Sequence, residues 1–354
     1  MFLTQCVLRI QSGADSNILS NHMKGEINMS SKKKICVSTF SFSNALYTDK
    51  IPTMEDFFRI VKELGLDGVE LVSMNILDRD PDAESPFGAP DPDRSPEPVF
   101  PDGTRASGTV SRPAPDTNTI KIFQKHREKM AEAARKRPQL IDNIKIWLKK
   151  YDLRVGNMPI DFGDIGNPDK EARRSDIEML KFWIDIAAEL GSPSVRFNSG
   201  HVNRDADGNL DLSICIESYR ELADYGATKN VAVTMENHGG ATEFPEAVVA
   251  IFKGVNHPNF QLTPDVGNFH LGEDMYRGID MMFSCGKPMI SHIKTYAFGD
   301  EYGEGCDSHT DFRRMGEIAK KHGFDGWYSI ETNGACGKDF VNIIKTKEII
   351  EKYF

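Results

Sequence analysis

Four short apolar runs in the second half of the chain end in a carboxylate or an imidazole. Residues 231–235 run into Glu236, 260–264 into Asp265, 289–291 into His292 and 327–330 into Glu331. Three acids and one imidazole form an oxygen-rich ligand set with a single nitrogen. That set suits a hard or borderline divalent ion, with Mn²⁺ the expected metal and Mg²⁺ or Co²⁺ the alternatives, rather than a structural zinc held by Cys and His. Taken singly, each acid reads as a helix-dipole or salt-bridge partner and His292 as a half-buried imidazole. Taken together, three carboxylates converging on one place repel one another unless a cation lies between them. An ion beside a carboxylate base supports proton removal next to a carbonyl, through an enediolate whose charge the ion stabilises. Glu236 or Glu331 is the candidate base, if one carboxylate oxygen stays off the metal.

The elements that must bring these residues together alternate regularly. A first strand at 34–40 is followed by a capping box at Thr53–Asp56 and a helix with apolar residues Phe57, Ile60, Val61 and Leu64. Gly65 to Gly68 stop that helix, and 69–72 is a second strand, so the unit is βαβ and the sheet parallel. Helical spacing resumes at Thr119 and runs to Lys150, with Pro138 expected to kink or split it. Further strands are expected at 153–158 and 193–197, with a helix between them capped at Ser175. A helix at 210–227 precedes the strand ending in Glu236. Helices near 245–252, 275–283 and 311–320 separate the last four strands, and one at 340–353 closes the chain. Eight strand–helix pairs is the number that closes a barrel, and the C-terminal strand ends of such a barrel carry its chemistry. The expected fold is a single α/β domain, a (β/α)8 TIM barrel, over 34–354. No GxGxxG follows the first strand, which argues against a dinucleotide-binding fold.

Two segments stand apart. Residues 78–118 hold nine prolines among Asp, Ser, Gly and Arg, and read as a long insertion after the second strand: a mobile surface segment, a lid or a subunit contact. Residues 1–33 are polar and irregular, with internal methionines at Met23 and Met29, and read as a disordered leader or an over-extended start.

Composition narrows the function classes. The 354 residues carry a formal net charge of −10, with 39% hydrophobic and 27% charged residues. That is ordinary for a globular enzyme and unsuited to a phosphate-backbone partner, so no nucleic acid is expected. The six cysteines have neither CxxC spacing nor the density of a disulfide framework, which fits a reducing cytoplasm. No apolar run has the length of a membrane span, and the N-terminus lacks the pattern of a signal peptide.

The segments Met235-Glu236-Asn237-His238-Gly239-Gly240, Pro264-Asp265-Val266-Gly267-Asn268-Phe269, His292-Ile293-Lys294 and Ile330-Glu331 resemble the xylose-isomerase-like TIM-barrel superfamily of sugar isomerases, epimerases and inosose dehydratases. The resemblance covers about 34–354, without the leader and the Pro-rich insertion. It implies that Glu236, Asp265, His292 and Glu331 bind a divalent metal. In the ketose 3-epimerase branch, it also implies that the two glutamates exchange the substrate proton. This chain departs from that branch twice. Asn268 stands three residues after Asp265, where the branch has an imidazole, and Gly239-Gly240-Ala241-Thr242 stands shortly after Glu236, where the branch usually has a second Glu.

Around the metal set, His238 and His270 are candidate acid–base partners or sugar-hydroxyl ligands. Lys294 lies on the same side of its strand as His292, suited to a substrate oxygen or phosphate, or to pairing with a ligand carboxylate. Arg196, ending an earlier strand, has similar scope. Asn268 completes the substrate-binding candidates. His201 and His309 lie in neighbouring loops, and Trp327 and Phe298 either stack on a sugar or pack in the core. The expected activity is metal-dependent sugar isomerisation or epimerisation, with His238 beside the two glutamates as catalytic residues. The alternative is a lyase of the same superfamily, an inosose dehydratase or a C-glycoside deglycosidase catalytic subunit. A lyase expels a group β to the carbonyl and needs an acid, which His238, His270 or His309 would supply. An apurinic endonuclease shares the fold but needs more histidines and a basic face, and a non-enzymatic sugar binder would leave the metal set unexplained. The expected partner is a small sugar or keto sugar, with a homo-oligomeric assembly or a second subunit.

Overall fold

The computed structural model describes residues 33–42, 53–78, 132, 134–135, 138–269, 274–332 and 340–354. The expected leader up to residue 32, the insertion beyond Asp78, the helical stretch from Thr119 to 131 and His270 lie outside these residues.

The apolar runs form the strands β1 Lys34–Ser38, β2 Gly68–Glu70, β3 Arg154–Ile160, β4 Ser194–Phe197, β5 Ala232–Glu236, β6 Phe260–Thr263, β7 Ile290–Thr295 and β8 Trp327–Thr332. All ladders between them are parallel, and their spatial order is β6-β5-β4-β3-β2-β1-β8-β7. The two ends of that order meet at a parallel bridge between Asp265 and His292, where the His292 N–H donates to the Pro264 carbonyl at 2.9 Å. The barrel therefore closes through two of the four candidate ligands.

Helices α1 Met54–Glu63, α2 Ser73–Asp78, α3 Pro138–Lys150, α4 Lys170–Glu189, α5 Ser213–Thr228, α6 Pro245–Val255, α7 Met275–Cys285, α8 Phe312–Lys321 and α9 Val341–Tyr353 follow the strands in turn. Thr53 caps α1 as its sequence suggests, accepting from the Asp56 N–H at 3.1 Å and donating to the Asp56 carboxylate at 2.7 Å. α3 begins at Pro138, where a missing N–H and a fixed φ suit the first turn. α4 begins five residues before the expected Ser175 cap. Asp169 accepts from the N–H groups of Glu171 and Ala172, both at 2.9 Å, and so satisfies that first turn. The helix expected from Leu210 starts instead at Ser213, because Leu210–Asp211 pairs with Asn203–Arg204 in a small hairpin.

Strand alternation sorts side chains into two cores. Outward residues such as Val37, Val69, Val155, Val195, Val233, Leu262, Ile293 and Ile330 belong to one buried cluster with the helices. Inside the barrel, Cys36, Ile290 and Trp327 form a separate small cluster, Ile290 and Trp327 at the N-terminal ends of their strands. A Cβ on Gly68 or Gly156 would lie 3.1–3.3 Å from the Trp327 ring, so the two glycines make room for that indole. Trp327 is thus core, at the opposite end of β8 from Glu331. The register of β2 and β3 shifts between Val69 and Glu70, so that Glu70 pairs with Asn157. This irregularity turns the Asn157 side chain into the barrel.

Candidate metal centre

Glu236, Asp265, His292 and Glu331 come together at the C-terminal ends of β5 to β8, with one ligand atom from each within 4.8 Å of all the others. Nδ1 of His292 lies 3.1 Å from Glu236 Oε1, 3.4 Å from Asp265 Oδ2 and 3.0 Å from Glu331 Oε2. The group is buried, and Glu331 is the most open of the four, its side chain 12% exposed against 1% for Glu236.

Neighbouring strands hold each ligand. The side chain of buried Asn237 accepts from the Asp265 N–H at 2.8 Å and donates to the Asp265 carbonyl at 2.6 Å, clamping β5 to the end of β6. The Asn268 amide donates to Glu236 Oε1 at 2.8 Å and to Asp265 Oδ2 at 3.0 Å. Lys294 Nζ donates to Glu331 Oε1 at 2.8 Å, Asp265 Oδ2 at 3.3 Å and Asn268 Oδ1 at 3.0 Å. Arg196 sits between Asp161, 2.6 Å from its Nη1, and Glu236, 3.0 Å from its Nε. A Cβ on Gly267 would approach within 2.5 Å of Lys294 Cδ and 2.8 Å of the Tyr296 hydroxyl, so only glycine lets this loop lie against the lysine.

Of the other sequence candidates, His238 is exposed on the loop after β5, its N–H donating to Thr242 Oγ1 at 2.9 Å. His309 stacks on Tyr296 with ring centroids 4.0 Å apart, beside the site. His201 is half-buried, and its N–H donates to Asp164 at 2.6 Å. Phe298 is half-buried beneath the ammonium of Lys345, which stands 5.6 Å from its ring centroid.

The sequence reading missed Glu70. This fully buried residue of β2 puts Oε1 3.0 Å from His292 Nε2, on the far side of the ring from the three carboxylates. Its only local signal is an acid at the C-terminal end of an apolar strand, the same signal carried by Glu236 and Glu331. Asp161, past β3, and Asn237 were likewise passed over.

The electrostatics follow from this arrangement. Burial would depress the His292 imidazolium, but Glu70, Glu236 and Glu331 overcome it and hold the ring's pKa well above the usual histidine value. Burial would raise Glu236, yet His292 and Arg196 hold it down at about 2. Glu331 is held well below the usual carboxylate value, because Lys294 and His292 outweigh its burial. Asp265 moves the other way: burial raises it, and Lys294 does not fully offset that.

A divalent cation fits this donor set. The carboxylates of Glu70, Asp161, Glu236, Asp265 and Glu331 outnumber the cationic groups of Arg196, His292 and Lys294. Glu236 Oε2 is buried without a hydrogen-bond donor, although Arg196 lies close to it. An ion among the four ligands would relieve that excess and take the unsatisfied lone pair.

Residues 117–351 match the family model described as xylose isomerase-like TIM barrel. No curated protein matches the chain by sequence. Among solved structures, the chain is similar to 3-keto-D-glucoside 4-epimerase from E. coli, with 15% identity and a TM-score of 0.53 over 90% of this chain and 98% of that one. It is similar to a D-tagatose 3-epimerase-like protein at 17% identity and a TM-score of 0.57, over 90% and 96% of the two chains. A probable 3-DHS dehydratase from Bacillus anthracis aligns at 13% identity and a TM-score of 0.51, over 90% and 97%. At these identities the likeness is one of fold.

Proposed function

Because the chain belongs to the xylose isomerase-like TIM barrel family, we propose that its barrel, residues 34–354, is a divalent-metal-dependent isomerase or epimerase of a sugar or keto sugar. The observation that carries this reading is the imidazole nitrogen of His292, 3.0–3.4 Å from three buried carboxylates. Glu236, Asp265, His292 and Glu331 would hold the ion, with Mn²⁺ the first metal to try. When bound, it supplies polarisation of a carbonyl and stabilisation of the negative charge that develops on its oxygen.

The protein's own groups divide the remaining work. Glu331 is the better candidate for the base at the carbon beside the carbonyl, because it is the most open of the four ligands. Glu236 has both oxygens turned to His292, Asn268 and Arg196, which suits a ligand more than a proton shuttle. A positioned base contributes roughly 10²–10⁴-fold, or about 3–5.5 kcal/mol of barrel-mouth catalysis. Lys294, whose ammonium bonds Glu331, Asp265 and Asn268 at the barrel mouth, would orient the keto sugar. Arg196 is buried and holds Glu236 rather than reaching substrate. Asn268, donating to Glu236 and Asp265, would border the substrate, and His238, exposed on the loop after β5, would return or accept the second proton.

The test is incubation of ketohexoses, inosose and a 3-oxo-glycoside with Mn²⁺-loaded protein in D₂O. Deuterium at the carbon beside the carbonyl, without eliminated product, is the expected result, and Glu331→Gln should lower its rate by at least about 10²-fold. Loss of water or aglycone would move the assignment to a lyase. Unchanged metal content in both Glu236→Gln and Asp265→Asn would sink the metal site.

A further inference from the structure

An imidazole offers a metal one nitrogen, and whatever holds the other decides which one is available. In His292 the nitrogen facing the three carboxylates is Nδ1, and Nε2 lies 3.0 Å from Glu70 Oε1. Glu70 is itself fixed from two further strands. Asn157 Nδ2 donates to the same oxygen at 2.8 Å, and Ser329 Oγ donates to Oε2 at 2.8 Å. Ser194 Oγ donates to Asn157 Oδ1 at 2.8 Å, which sets the orientation of that amide. Glu70, Asn157, Ser194 and Ser329 are all fully buried. They form a polar layer across the barrel, between the Trp327 cluster and the mouth, where barrels of this kind usually carry branched aliphatic side chains. Burying a carboxylate there is costly unless donors saturate it, and three donors from β3, β7 and β8 do so.

We propose that Glu70 is the positioning residue for His292. By accepting the Nε2–H it fixes the tautomer that leaves Nδ1 bare toward Glu236, Asp265 and Glu331, and as an anion it strengthens Nδ1 as a ligand. The inference rests on the metal-site reading above. Glu70 lies below the ligands and touches no substrate, so its effect passes through the ring.

The test uses the full chain, stripped of metal and titrated with Mn²⁺ by calorimetry, with circular dichroism to verify the fold. Glu70→Ala should bind Mn²⁺ about 10–100-fold more weakly than wild type, and Glu70→Gln, which keeps an acceptor oxygen but no charge, about 10-fold more weakly. In the Mg²⁺-loaded wild type, ¹⁵N spectra should show the His292 proton on Nε2. Affinity within twofold of wild type in a folded Glu70→Gln, or a proton on Nδ1 in the loaded wild type, overturns the proposal while leaving the metal site standing. Should Glu70→Ala not fold, Glu70→Gln alone decides. Wild-type protein that binds no Mn²⁺ overturns instead the reading of the site.

Discussion

Buried side chains at the barrel mouth are placed so tightly that single atoms decide function. Adding one methyl at Gly267 would put a carbon 2.5 Å from Lys294 Cδ, so Gly267→Ala must push the lysine away from Glu331 and Asp265. Overpacking of this kind costs about 1–3 kcal/mol. Gly267→Ala should therefore show a lower melting temperature and a higher KM for the keto sugar; an unchanged KM would mean that Lys294 does not bind substrate. His292 makes a second prediction. Its acidic neighbours raise the ring's pKa above the ordinary histidine value and so favour its protonated form in metal-free protein, yet a ligating Nδ1 must be bare. Binding of Mn²⁺ at pH 7 should release about one proton, read from calorimetry in buffers of different ionisation enthalpy, and affinity should rise with pH. Release of none would place the metal elsewhere. Glu236 has the opposite sign. Its folded value of about 2 lies below its ordinary 4.5, so the stability it lends is fully present above 4.5 and lost as pH falls toward 2.

Strands and helices show what local pattern can and cannot carry. The four ligand strands were legible because each apolar run stops at a carboxylate or imidazole, and period 2 then sends that residue inward with the one two before it. Helix starts were less legible: Asp169 follows Pro168 in a stretch that reads as loop, so its cap for α4 was missed in favour of Ser175. Trp327, left open between stacking on a sugar and packing in the core, packs in the core. A six-residue strand spans roughly 20 Å, and a residue at its N-terminal end cannot reach a site at the other. The indole instead fills the barrel floor against Cys36 and Ile290, with Gly68 and Gly156 beside it. Trp327→Ala should cost about 3–5 kcal/mol of stability by leaving a cavity, while Mn²⁺ affinity of the folded protein stays near wild type. A large loss of affinity with the floor emptied would show that the floor and the mouth are coupled.

At the scale of the whole molecule, the fold was readable from the count of strand–helix pairs, whereas the full site was not, because its supports come from strands far apart in sequence. Glu70 and His292 are 222 residues apart and meet only once the barrel closes. Closure is also where metal and fold depend on each other. β6 and β7 join through the bridge between Asp265 and His292, a shorter connection than the ladders elsewhere in the barrel. An ion held by both residues would tie that seam from within. Binding to the native state alone stabilises by RT ln(1 + [L]/Kd), about 2.7 kcal/mol at a hundredfold excess over Kd. For a barrel of this size that is a rise of roughly 4 °C in melting temperature, reversed by a chelator. The gain should not spread evenly. Hydrogen exchange should slow on metal addition in β6 and β7, on either side of the seam, and change little in the β2–β3 pair on the far wall. A shift in melting temperature with uniform protection would mean that the ion stabilises the fold without closing the seam. No shift at saturating Mn²⁺ would mean that Lys294 and the His292 proton already neutralise these carboxylates in the resting protein.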